Sequence, residues 1–258
     1  MSDNLPETPE FSIAGKHLKS VLTIIDEITD ECRVKTNDSG LDISTVDPGN
    51  CSLLKVHIPK TSFKKLIPGQ EIGIRIHQWK NLLKSPGLLN YGDIIEYRES
   101  KLSCGIVDYN IGIFKGNDVN KIRAEPRIPA LELPFAFEIG TVNFASLCNL
   151  VCRENKRSQG VFEKNGSLTF TGHKKDDDEI ILQGILDDIS IIETECDNDL
   201  KSRFEMEYLK PFVDKAKTVS GEIKIHIGHH VPLTMHFSDK YGTEYEYMLA
   251  PRIEDGDL

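Results

Sequence analysis

The chain of 258 residues lacks any long apolar run, and no stretch approaches the ~20 consecutive apolar residues that a membrane-spanning helix needs. Its first residues, MSDNLPETPEF, are polar and acidic. They lack the basic segment and the apolar segment of a secretory signal. We therefore expect a protein without a membrane span and without a secretory leader.

Cysteine is scarce and scattered, with six residues and no C-x-x-C pair. The cysteines are Cys32, Cys51, Cys104, Cys148, Cys152 and Cys196. This usage is typical of reduced, mostly buried thiols. Cys148 and Cys152 lie four residues apart on a predicted helix and have the spacing of a shared metal site. Without histidines nearby, packing in the core is the favoured interpretation.

The motifs of common enzyme classes are also missing. There is no G-x-x-x-x-G-K-[ST], no G-x-S-x-G and no G-x-G-x-x-G. Three close histidines, His226, His229 and His230, leave a metal-dependent enzyme as a remote alternative. The acidic run KKDDDE at 174–179 is typical of a solvated hairpin turn. We expect no catalytic residues, no resident metal and no cofactor.

What the chain does contain is enough apolar sequence for a core, with 39% hydrophobic and 28% charged residues. Its length suits one large domain or two of ordinary size. The net charge of −10 argues at first against nucleic acid, because proteins that bind it are usually basic.

An internal repeat is the most informative pattern. One set of positions recurs 126 residues later, from Leu18, Val21, Ile24, Ile25 and Gly40 to Phe144, Leu147, Leu150, Val151 and Gly166. A second set recurs 129 residues later, from Trp79, Leu83, Gly92 and Ile94 to Tyr208, Phe212, Gly221 and Ile223. Each half therefore holds two short amphipathic helices, each followed by alternating strands.

The repeat predicts an α+β fold of two similar domains, each with two helices packed on antiparallel sheet. We expect an N-terminal domain over 1–116 and a C-terminal domain over 135–258. Residues 117–134 contain Pro126, Pro129 and Pro134 and have no regular period. Proline stiffens the chain and removes a hydrogen-bond donor, so this stretch is predicted to be an extended connecting loop.

Positive charge is concentrated on the predicted helices. The four segments 16–29, 77–86, 143–158 and 206–217 carry a net charge of +5, which leaves −15 for the rest of the chain. On the third helix an apolar stripe of Phe144, Leu147, Leu150 and Val151 opposes a stripe of Ser146, Asn149, Arg153 and Lys156. Such a face is either an ordinary solvent-exposed helix surface or a surface that contacts phosphates independently of sequence. Both interpretations stay open at this point.

Four stretches carry a resemblance to a known family. They are GLDISTVDPGNCSLLKVHIP, RIPALELPF, VPLTMHF and YEYMLAPRIE. Together they resemble sliding clamps of the proliferating cell nuclear antigen type, and the similarity extends from about residue 11 to 254. Arg252, where other members have lysine, is closer to archaeal members.

The resemblance implies that three two-domain chains close head to tail into a ring, with helices inward and strands outward. It places the pairing edges near Val107–Phe114 and Glu179–Ile185. The ring encircles duplex DNA and tethers the replicative polymerase as a processivity factor. The basic side chains that face DNA would be those of Lys16, Lys19, Lys80, Lys84, Arg153, Lys156, Lys210 and Lys215. Ser20, Asp26, Ser146 and Asn149 depart from this pattern, so we expect a less positive bore.

The resemblance also implies a hydrophobic pocket for short partner peptides, from DNA polymerase, clamp loader, flap endonuclease and DNA ligase. Its lining would be Val46, Ile128, Pro129, Leu131, Pro232, Ala250, Pro251 and Ile253. The apolar residues of YMLAPRIEDGDL are otherwise unusual after a predicted last strand. An exposed apolar patch rimmed by charge is typical of a binding surface.

Two alternatives within the resemblance remain. The chain is either a homotrimeric replication clamp, or a checkpoint-type clamp or one subunit of a heterotrimer. An archaeal-type clamp would be cytoplasmic, and a eukaryotic one nuclear.

Overall fold

The computed structural model describes residues 10–84, 94–98, 101–105, 107–111, 113–114, 116–123, 131, 133–152, 158–165, 167–174, 177–186, 189–194 and 200–253. They fall into two compact units. The first comprises 1–46, 54–125 and 240–244, and the second 47–53, 126–239 and 245–258. Within the described ranges, every helix is too short or too polar to cross a membrane.

The first unit has two α-helices, α1 (Gly15–Ile25) and α2 (Ile76–Lys84), and two short 3₁₀ turns, Lys60–Ser62 and Gly116–Lys121. Its strands are β1 (Phe11–Ala14), β2 (Glu31–Thr36), β3 (Gly40–Val46), β4 (Ser52–Pro59), β5 (Phe63–Leu66), β6 (Glu71–Arg75), β7 (Ile94–Arg98), β8 (Lys101–Cys104), β9 (Val107–Asn110) and β10 (Ile113–Phe114). They form the strand orders β5-β1-β7-β8-β9 and β10-β6-β2-β3-β4.

The helices of the first unit bury the stripes that their sequence predicts. On α1, Val21, Ile24 and Ile25 are fully buried, because residues three and four apart share one face of a helix. On α2, Trp79 is 1% exposed, and its ring stacks on Phe11 with the centroids 6.3 Å apart. These contacts place the apolar side of the helix pair in the core and leave the lysines on the other side.

The second unit repeats this plan with α3 (Thr141–Cys152) and α4 (Met206–Ala216). Its strands are β11 (Phe135–Gly140), β12 (Ser158–Asn165), β13 (Ser167–Lys174), β14 (Asp177–Ile185), β15 (Ile189–Thr194), β16 (Leu200–Glu205), β17 (Glu222–Ile227), β18 (Leu233–Ser238) and β19 (Glu244–Leu249). The orders within this unit are β15-β11-β17-β18-β19 and β14-β13-β12-β16.

The strand order is duplicated between the two units. In the first, β1 lies between β5 and β7 and is antiparallel to both. In the second, β11 lies between β15 and β17 in the same antiparallel sense. A helix follows each of these central strands. The α+β fold with helices packed on antiparallel sheets is therefore confirmed, together with its internal repeat.

Helix α3 departs from the predicted apolar stripe. Leu150 is 47% exposed, whereas Cys148 is fully buried. At 3.6 residues per turn, Leu150 lies about 200° around the helix from Cys148 and so points away from the core. The buried face follows Phe144, Ala145, Cys148 and Val151. Assigning Leu150 to the core was wrong, because the buried face is turned relative to the predicted stripe.

The predicted edge strand over Val107–Phe114 is divided between two sheets. β9 pairs with β8, while β10 pairs with β6. Among the described strands, β9 ends its sheet, and β14 likewise ends the sheet of β12 and β13 in the second unit. The predicted edge is therefore not one continuous strand, because β9 and β10 each end a different sheet.

Gly40 provides a test of the packing between β3 and β4. A Cβ atom at this position would lie 2.1 Å from the carbonyl oxygen of Ile58, a backbone atom that has little room to move. Gly40→Ala should therefore lower the free energy of unfolding by roughly 1–3 kcal/mol, measured by denaturant titration. Gly221→Ala is the control, since nothing lies within 4 Å of its Cβ position. Equal unfolding midpoints for the two variants would contradict the packing described.

Candidate functional site

The helix pair of the first unit carries four of the lysines assigned to DNA. Lys16 and Lys84 are exposed, and Lys19 is half-buried. Lys80 differs, because its ammonium forms an ion pair with Asp26 at the C-terminal end of α1. The Lys80 side chain is only 13% exposed. Lys80 thus links α2 to α1, whereas Lys16 and Lys84 face solvent.

The helix pair of the second unit has a small charge network around Asp214. Its carboxylate accepts hydrogen bonds from Lys210 Nζ at 2.7 Å and Lys217 Nζ at 2.5 Å, and Asn149 Nδ2 of α3 lies 3.3 Å away. Partial burial acts to raise the pKa of Asp214, but these three hydrogen bonds outweigh it and hold the pKa below its usual range. The bond to Asp214 raises the pKa of Lys210. Both groups are therefore charged at neutral pH.

The described part of α3 presents a neutral surface. Between Thr141 and Cys152 the helix has no charged residue, and its exposed side includes Val142, Ser146, Asn149 and Leu150. Ser146 and Asn149 lie on this side, as the predicted stripe has them. Arg153 and Lys156 lie outside the described residues.

Lys215 completes the basic residues assigned to α4 and is half-buried. Sequence reasoning did not assign Lys217, although it shares Asp214 with Lys210. The spacings of three and four residues from Asp214 are the local signal that identifies both pairs. Asp26 and Lys80 lie 54 residues apart, and no local pattern connects them.

The C-terminal segment is held by main-chain hydrogen bonds after β19 ends at Leu249. The amide of Ala250 donates to the carbonyl oxygen of Cys51 at 2.8 Å, and the amide of Arg252 donates to that of Arg203 at 2.8 Å. The Arg252 guanidinium also donates to the Glu205 carboxylate at 2.7 Å. Ile253, the next residue, is 48% exposed. The segment is thus anchored while its apolar side chain remains accessible.

The other residues assigned to the peptide pocket have different environments. In the second unit Leu131, Pro232 and Pro251 are half-buried and Ala250 is exposed. Val46 is 6% exposed in the first unit. Ile128 and Pro129 lie outside the described residues. The segment 250–253 therefore combines an anchored main chain with accessible apolar atoms.

The cysteines and histidines form no group of three or more potential metal ligands in the described part of the chain. Burial raises the pKa of Cys148 and Cys152, which keeps both thiols protonated and disfavours thiolate ligation. His226 contacts His236 with the ring centroids 5.2 Å apart, and the rings of His229 and His230 are 4.0 Å apart. These four histidines are thus arranged as two pairs.

The fold defines a class of protein, an α+β chain of two repeated units, each with two helices packed on antiparallel sheet. No family model matches the chain. It is 31% identical over 249 residues to the DNA polymerase sliding clamp of Archaeoglobus fulgidus, covering 94% of this chain and 97% of that protein. It is 26% identical over 251 residues to the DNA polymerase sliding clamp of Haloarcula marismortui, with the same coverage. The chain therefore belongs to the family of DNA polymerase sliding clamps.

Solved structures give the same result for the fold. The proliferating cell nuclear antigen of A. fulgidus, bound to the C-terminal region of FEN-1, is 27% identical with a TM-score of 0.73 over 96% of this chain and 100% of that chain. The proliferating cellular nuclear antigen of Entamoeba histolytica is 15% identical with a TM-score of 0.75, and the match covers 95% of this chain and 100% of that chain. The PCNA2–PCNA3 complex of Sulfolobus tokodaii is 18% identical with a TM-score of 0.68, and the match covers 95% of this chain and 99% of that chain.

The anchoring of the C-terminal segment generates a prediction. Glu205→Gln removes the charge that binds Arg252, so the Arg252 amide should exchange with solvent faster. A partly exposed ion pair contributes up to about 1 kcal/mol, which corresponds to an increase of up to about fivefold. Hydrogen exchange resolved to single amides measures the exchange rate of the Arg252 amide. Glu207→Gln removes an equal charge near the start of α4 and serves as the control, and equal rates in both variants would contradict the anchor.

Proposed function

We propose that this chain is the subunit of a sliding clamp that closes around duplex DNA and tethers the replicative polymerase during synthesis. The observation that carries the proposal is the 31% identity to a DNA polymerase sliding clamp over 94% of the chain. The activity is mechanical rather than catalytic, because the ring confers processivity through its topology. Because these relatives come from archaea, we place the protein in the cytoplasm.

We propose that β9 and β14 close the ring. β9 and β14 each have a neighbour on one side only among the described strands. Head-to-tail pairing of β9 with β14 of the next copy would satisfy both edges, and such heterologous contacts close into a ring when the rotation permits. We propose three copies per ring. We also propose that each copy has domains at 1–116 and 135–258 joined by the loop 117–134.

The helices supply the contact with DNA. We assign Lys16, Lys19, Lys84, Lys215, Arg153 and Lys156 to contact with DNA phosphates. Lys80 and Lys210 are assigned to the same DNA-facing helices, where each is paired with a carboxylate. The rest of the chain is acidic, and its repulsion of phosphate favours DNA in the bore over DNA on the outside. The attraction is independent of sequence and dependent on salt.

The anchored C-terminal segment forms one wall of the partner site. The solved A. fulgidus relative binds the C-terminal region of FEN-1, and we infer that this chain receives short peptides of replication and repair proteins in the same way. Those proteins include polymerase, clamp loader, flap endonuclease and DNA ligase. By resemblance, we assign Ala250, Pro251 and Ile253 to this wall, and we assign Val46, Ile128, Pro129, Leu131 and Pro232 to peptide binding as well.

The mass of the purified protein tests ring formation. Light scattering should give a mass near three chains, and addition of the protein with its cognate loader should lengthen the products of its cognate polymerase on primed templates. A protein that is monomeric alone would contradict the homotrimer and favour a heterotrimeric ring. Trimers that fail to stimulate synthesis would contradict the replication role.

Ile253→Asp tests the partner site. A charge in place of the exposed isoleucine should weaken binding of a synthetic peptide from the C-terminal region of A. fulgidus FEN-1 by about 30-fold or more, the loss expected of an interface hot spot. Fluorescence anisotropy measures the affinity, and light scattering verifies that the ring persists. Ile192→Asp is the control, because Ile192 is also exposed, at 45%, but lies on β15. Equal affinities in the two variants would refute the assignment.

A further inference from the structure

Two of the lysines assigned to DNA already have carboxylate partners in this chain. Lys80 of α2 is paired with Asp26, and Lys210 of α4 is paired with Asp214. Asp214 also binds Lys217 at 2.5 Å. The lysines on this surface are therefore not equivalent in the charge that they can offer to a phosphate.

The Lys80 pair is the more enclosed of the two. The side chains of Lys80 and Asp26 are 13% and 29% exposed. To contact a phosphate, the Lys80 ammonium has to leave its carboxylate, and the uncompensated Asp26 then repels the same phosphate. Because opposite charges in contact present little net charge at a distance, the pair attracts DNA weakly.

The Asp214 network has the same consequence in the second unit. One carboxylate is shared by two ammonium groups, so the three charges together present +1 instead of +2. The Asp214 side chain is 24% exposed, and Asn149 from α3 adds a third contact at 3.3 Å. This geometry holds Lys210 along its own helix.

Lys16, Lys19 and Lys84 provide the contrast. In the described part of the chain no carboxylate lies within 4.0 Å of their ammonium groups. Lys16 and Lys84 are also exposed. With respect to the described residues, their charge is available to phosphates without the breaking of an ion pair.

We propose that Asp26 and Asp214 set how strongly the clamp holds DNA, by keeping Lys80 and Lys210 from phosphate contact. This inference rests on the proposed function. A ring that has to slide requires weak contacts, and each lysine that gains a phosphate steepens the salt dependence of binding by about 0.9 in log–log slope. Acidic partners within the chain limit the number of lysines that contact phosphate, while Lys80 still joins α2 to α1.

The first experiment compares two lysines on the same helix. Binding of the whole purified protein to a short fluorescent duplex is titrated at several salt concentrations. Lys84→Gln should make the slope shallower by about 0.9 for each phosphate that is no longer neutralised, whereas Lys80→Gln should leave it within error of wild type. An equal change of slope in the two variants would overturn the proposal, because Lys80 would then bind phosphate directly.

The second experiment removes the acidic partners. Asp26→Asn should increase duplex affinity at low salt several-fold and steepen the slope, and in that background Lys80→Gln should reverse the gain. This cycle isolates the coupling between the two side chains. Asp214→Asn should act similarly through Lys210. Asp38→Asn is the matched control, since Asp38 is an exposed turn residue and its loss changes the net charge equally. A gain as large in the control would overturn the proposal.

Failure of the proposed function and failure of a variant to assemble can each be told apart from failure of this inference. Wild-type protein that forms trimers but shows no salt-dependent duplex binding at low salt would contradict the proposed function itself. Thermal unfolding and light scattering identify any Asp26→Asn protein that fails to assemble. In that event the comparison of Lys80→Gln with Lys84→Gln, which retains Asp26, decides the question.

Discussion

Burial of one apolar helix stripe against sheet is the constraint on which each unit depends. Val21 and Ile24 on α1, and Leu209 and Phe212 on α4, are fully buried. Because residues three and four apart share a face, burying this stripe commits the remaining side chains to the opposite face. The surface that carries lysines is therefore a consequence of core packing, and both units acquire it through the same duplicated strand order.

The charged side of the helices is also part of the fold. Lys80 joins α2 to α1, and Asp214 of α4 receives a hydrogen bond from Asn149 of α3. These contacts stabilise helix pairs and at the same time reduce the charge offered to a polyanion. Stability and weak attraction thus involve the same side chains, and in the proposed clamp this would let an acidic protein surround DNA without holding it tightly.

Much of the fold could be predicted from periodicity, because burial of alternate strand residues and of helix stripes leaves a local pattern. Helix α3 was predicted less well, since Leu150 fits an apolar spacing but lies on the exposed side. The pairing of Lys80 with Asp26 had no local signal, because only tertiary packing brings these residues together. The assignments of residues to DNA and to the peptide pocket remain predictions, derived from resemblance and consistent in part with exposure.

The grouping of segments into units has a consequence for dividing the gene. Residues 47–53 belong to the second unit, although they precede the connecting loop, and residues 240–244 belong to the first, although they follow it. A chain cut within 117–134 would therefore give two fragments that each lack a piece of their own compact unit. The carbonyl oxygen of Cys51, which receives the Ala250 amide, would be on the other fragment. The two halves of the sequence on either side of the loop therefore do not coincide with the two compact units.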